Sequence, residues 1–504
     1  MPTILPVLPT QREWALFDAA QTRSLEQRAA AALPAHTLMR RAGEAVARLA
    51  LAIAPHAQRV WIAAGPGNNG GDGLEAAVHL RGWGKDVAVA LIGDPGALPA
   101  DAQAALARAQ AAGVVFDSGT APPRDPPQFA IDALLGIGAS RAPHGPIADC
   151  VRRLNALACP VLAIDLPSGL HAGTGQPLGD DCVVAAHTLA LLTLKPGLFT
   201  GAGRDHAGRV WLDALGVDSS ADVPLAWLSG TTCNIIAPAR RHAQHKGSFG
   251  DVAVVGGARG MSGAALLAAR AAHAAGAGRV YVELLEHAAT ALAVDPQRPE
   301  LMFRAGWSRG APEVLAATTV VCGCGGGDAV RAPLPRLLSV ARRLVLDADA
   351  LNVIASDAAL ATLLRARAAR GQATVLTPHP LEAARLLACT TSAVQADRLH
   401  AARALAHRYD SVVVLKGSGS VIAAPGQIPR INGTGNAALA TAGTGDVLAG
   451  WLAGRWAQRA TGDEVAAAFA VACQAVAEHG AGAEPQPSGP LRAADLIERL
   501  AARG

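Results

Sequence analysis

The sequence predicts an α/β protein of two domains, each a largely parallel sheet between layers of helices. Three observations predict it. At 504 residues the chain is too long for one core, since domains average roughly 100–200 residues. Short apolar, β-rich runs alternate with alanine-rich helical runs, the pattern of right-handed βαβ units. The alternation lapses once, between about Gly216 and Ala243, and then restarts.

Composition narrows the class. Hydrophobic residues make up 51% and charged residues 17%, which excludes a disordered chain. Aromatics are 3%, so alanine and aliphatic side chains must fill the cores. The net charge of +4 comes from 44 Lys+Arg against 40 Asp+Glu, with no basic run, so no nucleic-acid partner is expected. No 18-residue stretch is free of charges and loop signals, and Met1–Arg12 has no basic n-region, so neither a membrane partner nor a leader is expected. A cytoplasmic location follows as an expectation. Of the eight cysteines only Cys322 and Cys324 are close, as C-x-C without a second pair, and the thiols read as reduced and structural. The only lysines are Lys85, Lys195, Lys246 and Lys416, which makes a lysine beside a glycine loop informative.

In order, an amphipathic helical start over residues 17–49 precedes strands at 59–63, 87–92, 129–131, 161–164, 188–193 and 210–212. Helices fit 74–81, 101–112 and 147–156. The expected first domain is 1–220 and the linker 221–243, which carries Ser219 and Ser220 at its edge and Pro224, Gly230 and Pro238 within it. The second domain, 244–504, restarts with strand 252–255, helix 263–274 and strand 279–283. Strands 318–321, 343–346, 374–376 and 412–415 follow, then helices 445–459 and 464–478 and a short last helix.

After the first strand comes Gly65-Pro66-Gly67-Asn68-Asn69-Gly70-Gly71-Asp72-Gly73. It satisfies G-x-G-x-x-G in strand–turn–helix context, where backbone N–H groups approach an anion at a helix start. A plain dinucleotide loop needs no amides or carboxylate, however, and Asn68, Asn69 and Asp72 suit a hard cation or ribose hydroxyls. Asp132 ends a second strand, and Asp165 and Ser168 follow a third. One such Asp alone would simply cap a helix. Three strand ends of one parallel sheet can converge on a ligand.

GPGNNGGDG, IDALLGIGASRAPHGPIA and AIDLPSGL, with the approach Thr37–Gly43, resemble the YjeF N-terminal family, the NAD(P)H-hydrate epimerases, over about residues 14–215. The resemblance implies a Rossmann-like three-layer α/β/α domain, with K⁺ held at Asn69, Asp132 and Ser168. It implies that Asn68, Asn69, Gly70, Gly71 and Asp72, then Gly136, Ile137, Gly138, Ala139, Ser140, Arg141 and Ala142, and Asp165, hold the hydrated cofactor. Asp165 is the candidate catalytic group, though the proton-transfer group of this half is left open.

In the second half, Gly443-Thr444-Gly445-Asp446 opens a helix. Successive N–H groups there make an anion hole for a transferring phosphoryl group, and Asp446 is placed to accept a hydroxyl proton. A plain helix cap explains Asp446 but not the glycines around it. A strand ends in Lys416-Gly417-Ser418-Gly419-Ser420, where a scarce lysine meets small residues. No G-x-x-x-x-G-K-[ST] occurs, which disfavours a P-loop ATPase.

HKGSFGDVAVVGG, LDADALN, TPHPLEAARLL, VVLKGSGSV and TAGTGDVLAGWLAG resemble the ribokinase-like ADP-dependent NAD(P)H-hydrate dehydratases, over about residues 240–502. The resemblance implies a ribokinase-like α/β/α domain with Asp446 as base and Mg²⁺ as helper. Gly445 and Lys416 to Ser420 would contact ADP, and Ala264, Gly325, His379 and Asp446 the hydrate. Cys324 and Gly326 depart from the family's usual G-P-G-L-G, and Ala442 stands where a further glycine is common. The order of the halves resembles bifunctional NAD(P)H-hydrate repair enzymes, acting on hydrated NADH and NADPH, and a homo-oligomer is expected. Two alternatives stay open: a vitamin or sugar-alcohol kinase, and a first domain that is a binding scaffold without catalysis.

Overall fold

A computed structural model describes residues 4–9, 12–117, 119–230, 240–285, 292–459, 464–485 and 489–503. The chain divides into two compact units, residues 1–9 with 14–228, and residues 10–13 with 229–504. Among the described residues, no helix is long and apolar enough to cross a membrane. Each described cysteine is a free thiol.

In the first unit the strands lie in the order Leu5–Pro6, Arg209–Asp213, His187–Leu191, Val161–Ile164, Phe129–Ala133, Arg59–Ala64, Asp86–Leu91, Val115–Asp117. All neighbours pair in parallel except the first two. From Arg59–Ala64 the chain winds outward to Val115–Asp117, then returns to Phe129–Ala133 on the other side. That reversal opens a crevice at the strands' carboxyl ends, where ligands of open α/β sheets bind. The strands are buried on both faces, hence their Val/Ile/Leu/Ala runs.

Two expectations need correction here. The helical start of residues 17–49 is two helices, Ala19–Ala31 and Thr37–Ile53, interrupted where Pro34 removes a donor and His36 turns to φ 64°. Part of the linker 221–243 is the strand Ala226–Ser229, antiparallel to Trp14–Leu16. Residues 231–239 of that linker lie outside the described residues.

In the second unit the order is Met302–Phe303, Arg279–Leu284, Asp251–Gly256, Thr319–Cys322, Arg343–Leu346, Ala373–Leu376, Val412–Leu415, Val421–Ala423, Arg430–Asn432. Pairing is parallel through Val412–Leu415 and antiparallel beyond it. Register aligns the carboxyl ends: Val255 faces Cys322, Cys322 faces Leu346, and Leu346 faces Leu376. The residues that follow these strands therefore emerge in one row. Over this sheet the helices Ser262–Ala274 and Thr444–Ala457 pack at very short range: a Cβ on Gly450 would lie 1.9 Å from the Ala268 carbonyl oxygen. Small residues at such a crossing let two backbones meet, and Gly454 meets Ala272 in the same way.

Candidate active sites

The first site forms at the crevice of the first unit. A Cβ on Gly65 would lie 1.9 Å from the Leu134 carbonyl oxygen, and one on Gly70 would lie 2.0 Å from Gly65 O. Glycine is thus required for the helix Asn68–Gly82 to start flush against the strand ends. Gly70 and Gly71 are buried in this packing and do not line the cavity, Gly71 lying against Met39. Asn68, Asn69, Asp72, Gly136, Ile137, Gly138, Ala139 and Asp165 do line it, and its volume is about 790 Å³. Ser140, Arg141 and Ala142 are exposed and do not.

Asp165 follows its strand at φ 67°, a left-handed conformation that costs a non-glycine residue about 1 kcal/mol or more and persists where surroundings enforce it. The enforcement is visible. The Asp165 N–H donates to Leu189 O at 2.7 Å, its Oδ1 accepts from Leu191 N at 3.3 Å, and Lys195 Nζ forms an ion pair with the same oxygen. Lys195 is wholly buried, lines the cavity, and also donates to Leu191 O at 2.9 Å. Sequence reasoning missed it, although its scarcity as a lysine was the available signal. Burial, then the charges of Asp165, Glu26, Glu75 and Asp101, push Asp72 well above the usual carboxylate range.

Asp132 lies beneath, fully buried. It accepts from Ser168 Oγ at 2.6 Å, Ser168 N at 2.8 Å and Leu134 N at 3.2 Å. Burial raises its pKa to about 6 despite these three donors. Among the described residues no cationic side chain pairs with it, and the buried Asn69 amide nitrogen has no partner. Oxygen donors on a charged carboxylate that lacks a counterion fit a hard monovalent cation such as K⁺.

In the second unit the aligned strand ends deliver Cys324, Asp347, Thr377 and Lys416 to one place. Lys416 Nζ donates to Asp347 Oδ1 at 2.6 Å, and Thr377 Oγ1 donates to the same oxygen at 2.9 Å. Donor atoms of Cys324, Asp347 and Asp446 all lie within 4.8 Å of one another. Asp446 stands in the first turn of Thr444–Ala457; burial, then the negative charge of Asp347, raises its pKa to about 6. Burial works against the Lys416 charge, but Asp347 and Glu382 outweigh it and hold the ammonium above its ordinary value. The helix start lies close to the lysine: a Cβ on Gly445 would sit 3.3 Å from Lys416 Nζ, a tight contact that glycine avoids. Buried His479, pushed down to about 4 by desolvation, fixes that start through Nε2 and Thr444 O at 2.9 Å.

The loop Lys416–Ser420 is held from behind. Arg398, itself buried, donates to the carbonyls of Leu415 and Lys416 at 3.2 and 3.1 Å, and Ser420 Oγ bonds Gly417 O at 3.1 Å. Gly417 takes φ 139° against that guanidinium, while Ser418 is exposed and Gly419 buried. Gly325, at φ 59°, lies against Ala264, whose Cβ is 2.8 Å from where a Gly325 Cβ would stand. His379 caps the helix Pro380–Leu387, accepting from Leu381 N at 3.1 Å, and its Nε2 lies 3.1 Å from Glu382. Asp347 and Cys324 were not singled out as site residues; the Asp347 side chain needed the register to become significant.

Each of the two α/β units thus has carboxylates and a lysine, Lys195 wholly buried and Lys416 half-buried, at the carboxyl ends of its parallel strands, the setting of a candidate small-molecule site. The family model of NAD(P)H-hydrate dehydratase matches residues 252–500, and that of the YjeF-related protein N-terminus matches residues 35–197. The chain is 35% identical over 469 residues to the bifunctional NAD(P)H-hydrate repair enzyme Nnr of Escherichia coli, covering 90% of this chain and 85% of that one. It is 36% identical over 531 residues to the bifunctional NAD(P)H-hydrate repair enzyme of Leishmania braziliensis, covering 96% and 92%. A crystallised ADP/ATP-dependent NAD(P)H-hydrate dehydratase from Bacillus subtilis, with ATP and Mg²⁺, is 27% identical, covers 52% of this chain and 91% of its own, and has a TM-score of 0.43. The chain belongs to the bifunctional NAD(P)H-hydrate repair enzymes, with an epimerase half followed by a dehydratase half. The kinase alternative has no such support over the whole chain.

Proposed function

We propose that the two sites share the repair of NADH and NADPH hydrated at C6 of the nicotinamide ring. The first unit interconverts the R and S epimers, with Asp165 in the reacting cavity and K⁺ held by Asn69, Asp132 and Ser168. K⁺ would supply the countercharge that buried Asp132 lacks.

The second unit carries out ADP-dependent dehydration of the S epimer. The C6 hydroxyl loses its proton to Asp446 and takes the terminal phosphoryl group of ADP, releasing AMP. Phosphate then leaves C6 and a proton leaves C5, which restores the ring double bond. The N–H groups at the start of Thr444–Ala457 face charge that develops on the moving phosphoryl group. Lys416, with Gly417 to Ser420 and Gly445, would hold the nucleotide, and Mg²⁺ accompanying it would neutralise further charge. Ala264, Gly325 and His379 would border the hydrate.

The observation that carries the reading is Asp446 at that helix start, with a pKa near 6 and Lys416 beside Gly445. A pKa there leaves the group ionised at neutral pH yet still basic enough to take a proton. The test supplies mixed hydrate epimers, ADP, Mg²⁺ and K⁺, and follows the return of reduced-nicotinamide absorbance. Asp446→Asn abolishes recovery of both epimers. Asp165→Asn leaves rapid recovery of the S fraction alone. Full recovery by the Asp165 variant would make the first unit a scaffold.

A further inference from the structure

The epimerase half needs a proton donor and a proton acceptor, and four carboxyl groups line its cavity, Glu26, Asp72, Asp101 and Asp165; Asp101 is paired with His36, while Asp72 and Asp165 stand in unlike surroundings. We infer that Asp72 donates a proton to the departing C6 hydroxyl while Asp165, positioned by its ion pair with Lys195, takes a proton from the water that replaces it. The inference rests on the epimerase reading above and assigns its acid and base.

C6 of the hydrate bears both the hydroxyl and the ring nitrogen, so it is a carbinolamine. The nitrogen lone pair can form an N1=C6 bond as the C6–O bond breaks, the oxygen leaving with its electron pair and a proton as water. The resulting iminium carbon is flat and keeps no memory of its face. Water adding from the other side forms the new C6–O bond, gives up one proton, and returns the electron pair to nitrogen. The product is the opposite epimer, and one proton has moved from the donor to the acceptor. Its return through cavity water resets the site. The step resembles glycoside hydrolysis, where a neutral carboxyl and an ionised one also divide the work.

The structure distinguishes the two groups. Both Asp72 and Asp165 line the cavity. Asp165 holds the ammonium of Lys195 and the Leu191 N–H. Lys195 is itself wholly buried, and its two acceptors are Asp165 and the Leu191 carbonyl. Asp72 has the opposite setting. Among the described residues no side chain or backbone group donates a hydrogen bond to its carboxyl. The charges that bear on it most, after burial itself, are the carboxylates Asp165, Glu26, Glu75 and Asp101. Glu75 is already paired with Arg108, and Glu26 is raised by burial and by Asp165. A carboxyl without a cation, half-buried and among anions, holds its proton more tightly; Asp165 differs in geometry, with the buried Lys195 Nζ on its Oδ1. Lys195 acts through Asp165 and is a positioning residue.

The full chain tests this in heavy-oxygen water, with purified R hydrate and no ADP. The wild type incorporates one solvent oxygen at C6 per epimerisation. Asp72→Asn, which cannot donate the acid proton, slows kcat by about 10²–10⁴-fold, the usual contribution of a general acid, with KM for the hydrate little changed and the melting transition retained. Lys195→Met lowers kcat without raising KM, a split that a general loosening of the cavity would not give. Should Lys195→Met not fold, the isotope result and Asp72→Asn decide. Epimerisation that retains the original oxygen, or an Asp72→Asn rate within tenfold of wild type, overturns the inference while the epimerase reading stands. A wild type that does not epimerise at all overturns both.

Discussion

Asp446, the proposed base, has its pKa raised first by burial and then by the negative charge of Asp347, and Asp347→Asn exposes the second contribution. Asp446 must be ionised to accept the hydroxyl proton. Its pKa near 6, against an ordinary 3.8, leaves about 9% ionised at pH 5, so the base-limited rate falls roughly tenfold; an unperturbed aspartate would remain about 94% ionised. The sign is that of a raised carboxylate: activity is present above the folded pKa and lost as pH falls through it. The terminal phosphate of ADP titrates in the same range, so a wild-type profile alone is ambiguous. The variant removes that ambiguity because ADP is common to both. Carboxylate oxygens 4.8 Å apart, the outer limit of this cluster, repel by about 0.9 kcal/mol in a water-like dielectric and about 3.5 kcal/mol at an effective value of 20. That corresponds to roughly 0.6–2.5 pH units. Asp347→Asn also releases Lys416 from its partner, which favours the ionised form of Asp446 further. The acid limb of kcat/KM for ADP-dependent dehydration of the S hydrate therefore moves to lower pH, whatever happens to the plateau. A limb that stays in place, or moves upward, refutes the assignment of Asp446 as the base.

Asp132→Asn removes the buried charge that K⁺ would balance; thermal unfolding of the wild type shifts upward when KCl replaces a bulky monovalent salt, by about 1.4 kcal/mol at ten times the dissociation constant, and the variant shows no shift. Gly450→Ala sets a Cβ 1.9 Å from the Ala268 carbonyl oxygen, and since backbone cannot yield as a side chain does, denaturant unfolding shows a loss of about 3 kcal/mol or more. Arg398→Leu strips the carbonyls of Leu415 and Lys416 of their buried donor, which costs about 1–3 kcal/mol for each group left unpaired. Initial-rate kinetics then show a raised KM for ADP, because the same loop would carry the nucleotide.

Much of the fold was legible because period and propensity are local. Strands Val161–Ile164, Arg343–Leu346 and Val412–Leu415 match their expected ends, and the two units part between residues 228 and 229, inside the stretch of about Gly216 to Ala243 where the alternation lapses. Local reasoning failed where a segment takes its form from a distant partner. Ala226–Ser229 is a strand because Trp14–Leu16 pairs with it, and its sequence reads as a linker otherwise. The same holds for the edge strands Leu5–Pro6 and Met302–Phe303, too short to show a period.

The candidate sites divide in the same way. Glycine-rich turns and aspartates after apolar runs announce themselves within a few residues, so Asn69, Asp72, Asp132, Asp165 and Asp446 could be read from the chain. Pairs could not. Lys195 is 30 residues from Asp165, and Lys416 is 69 from Asp347; nothing in either neighbourhood forecasts the partner. The amino-acid order alone determined the α/β class and the carboxylates at the strand ends, since hydrophobic spacing and turn chemistry act over a few residues. Tertiary structure alone decided which carboxylate meets a buried ammonium and which is left among anions, because burial and Coulomb energy depend on distance in space rather than along the chain.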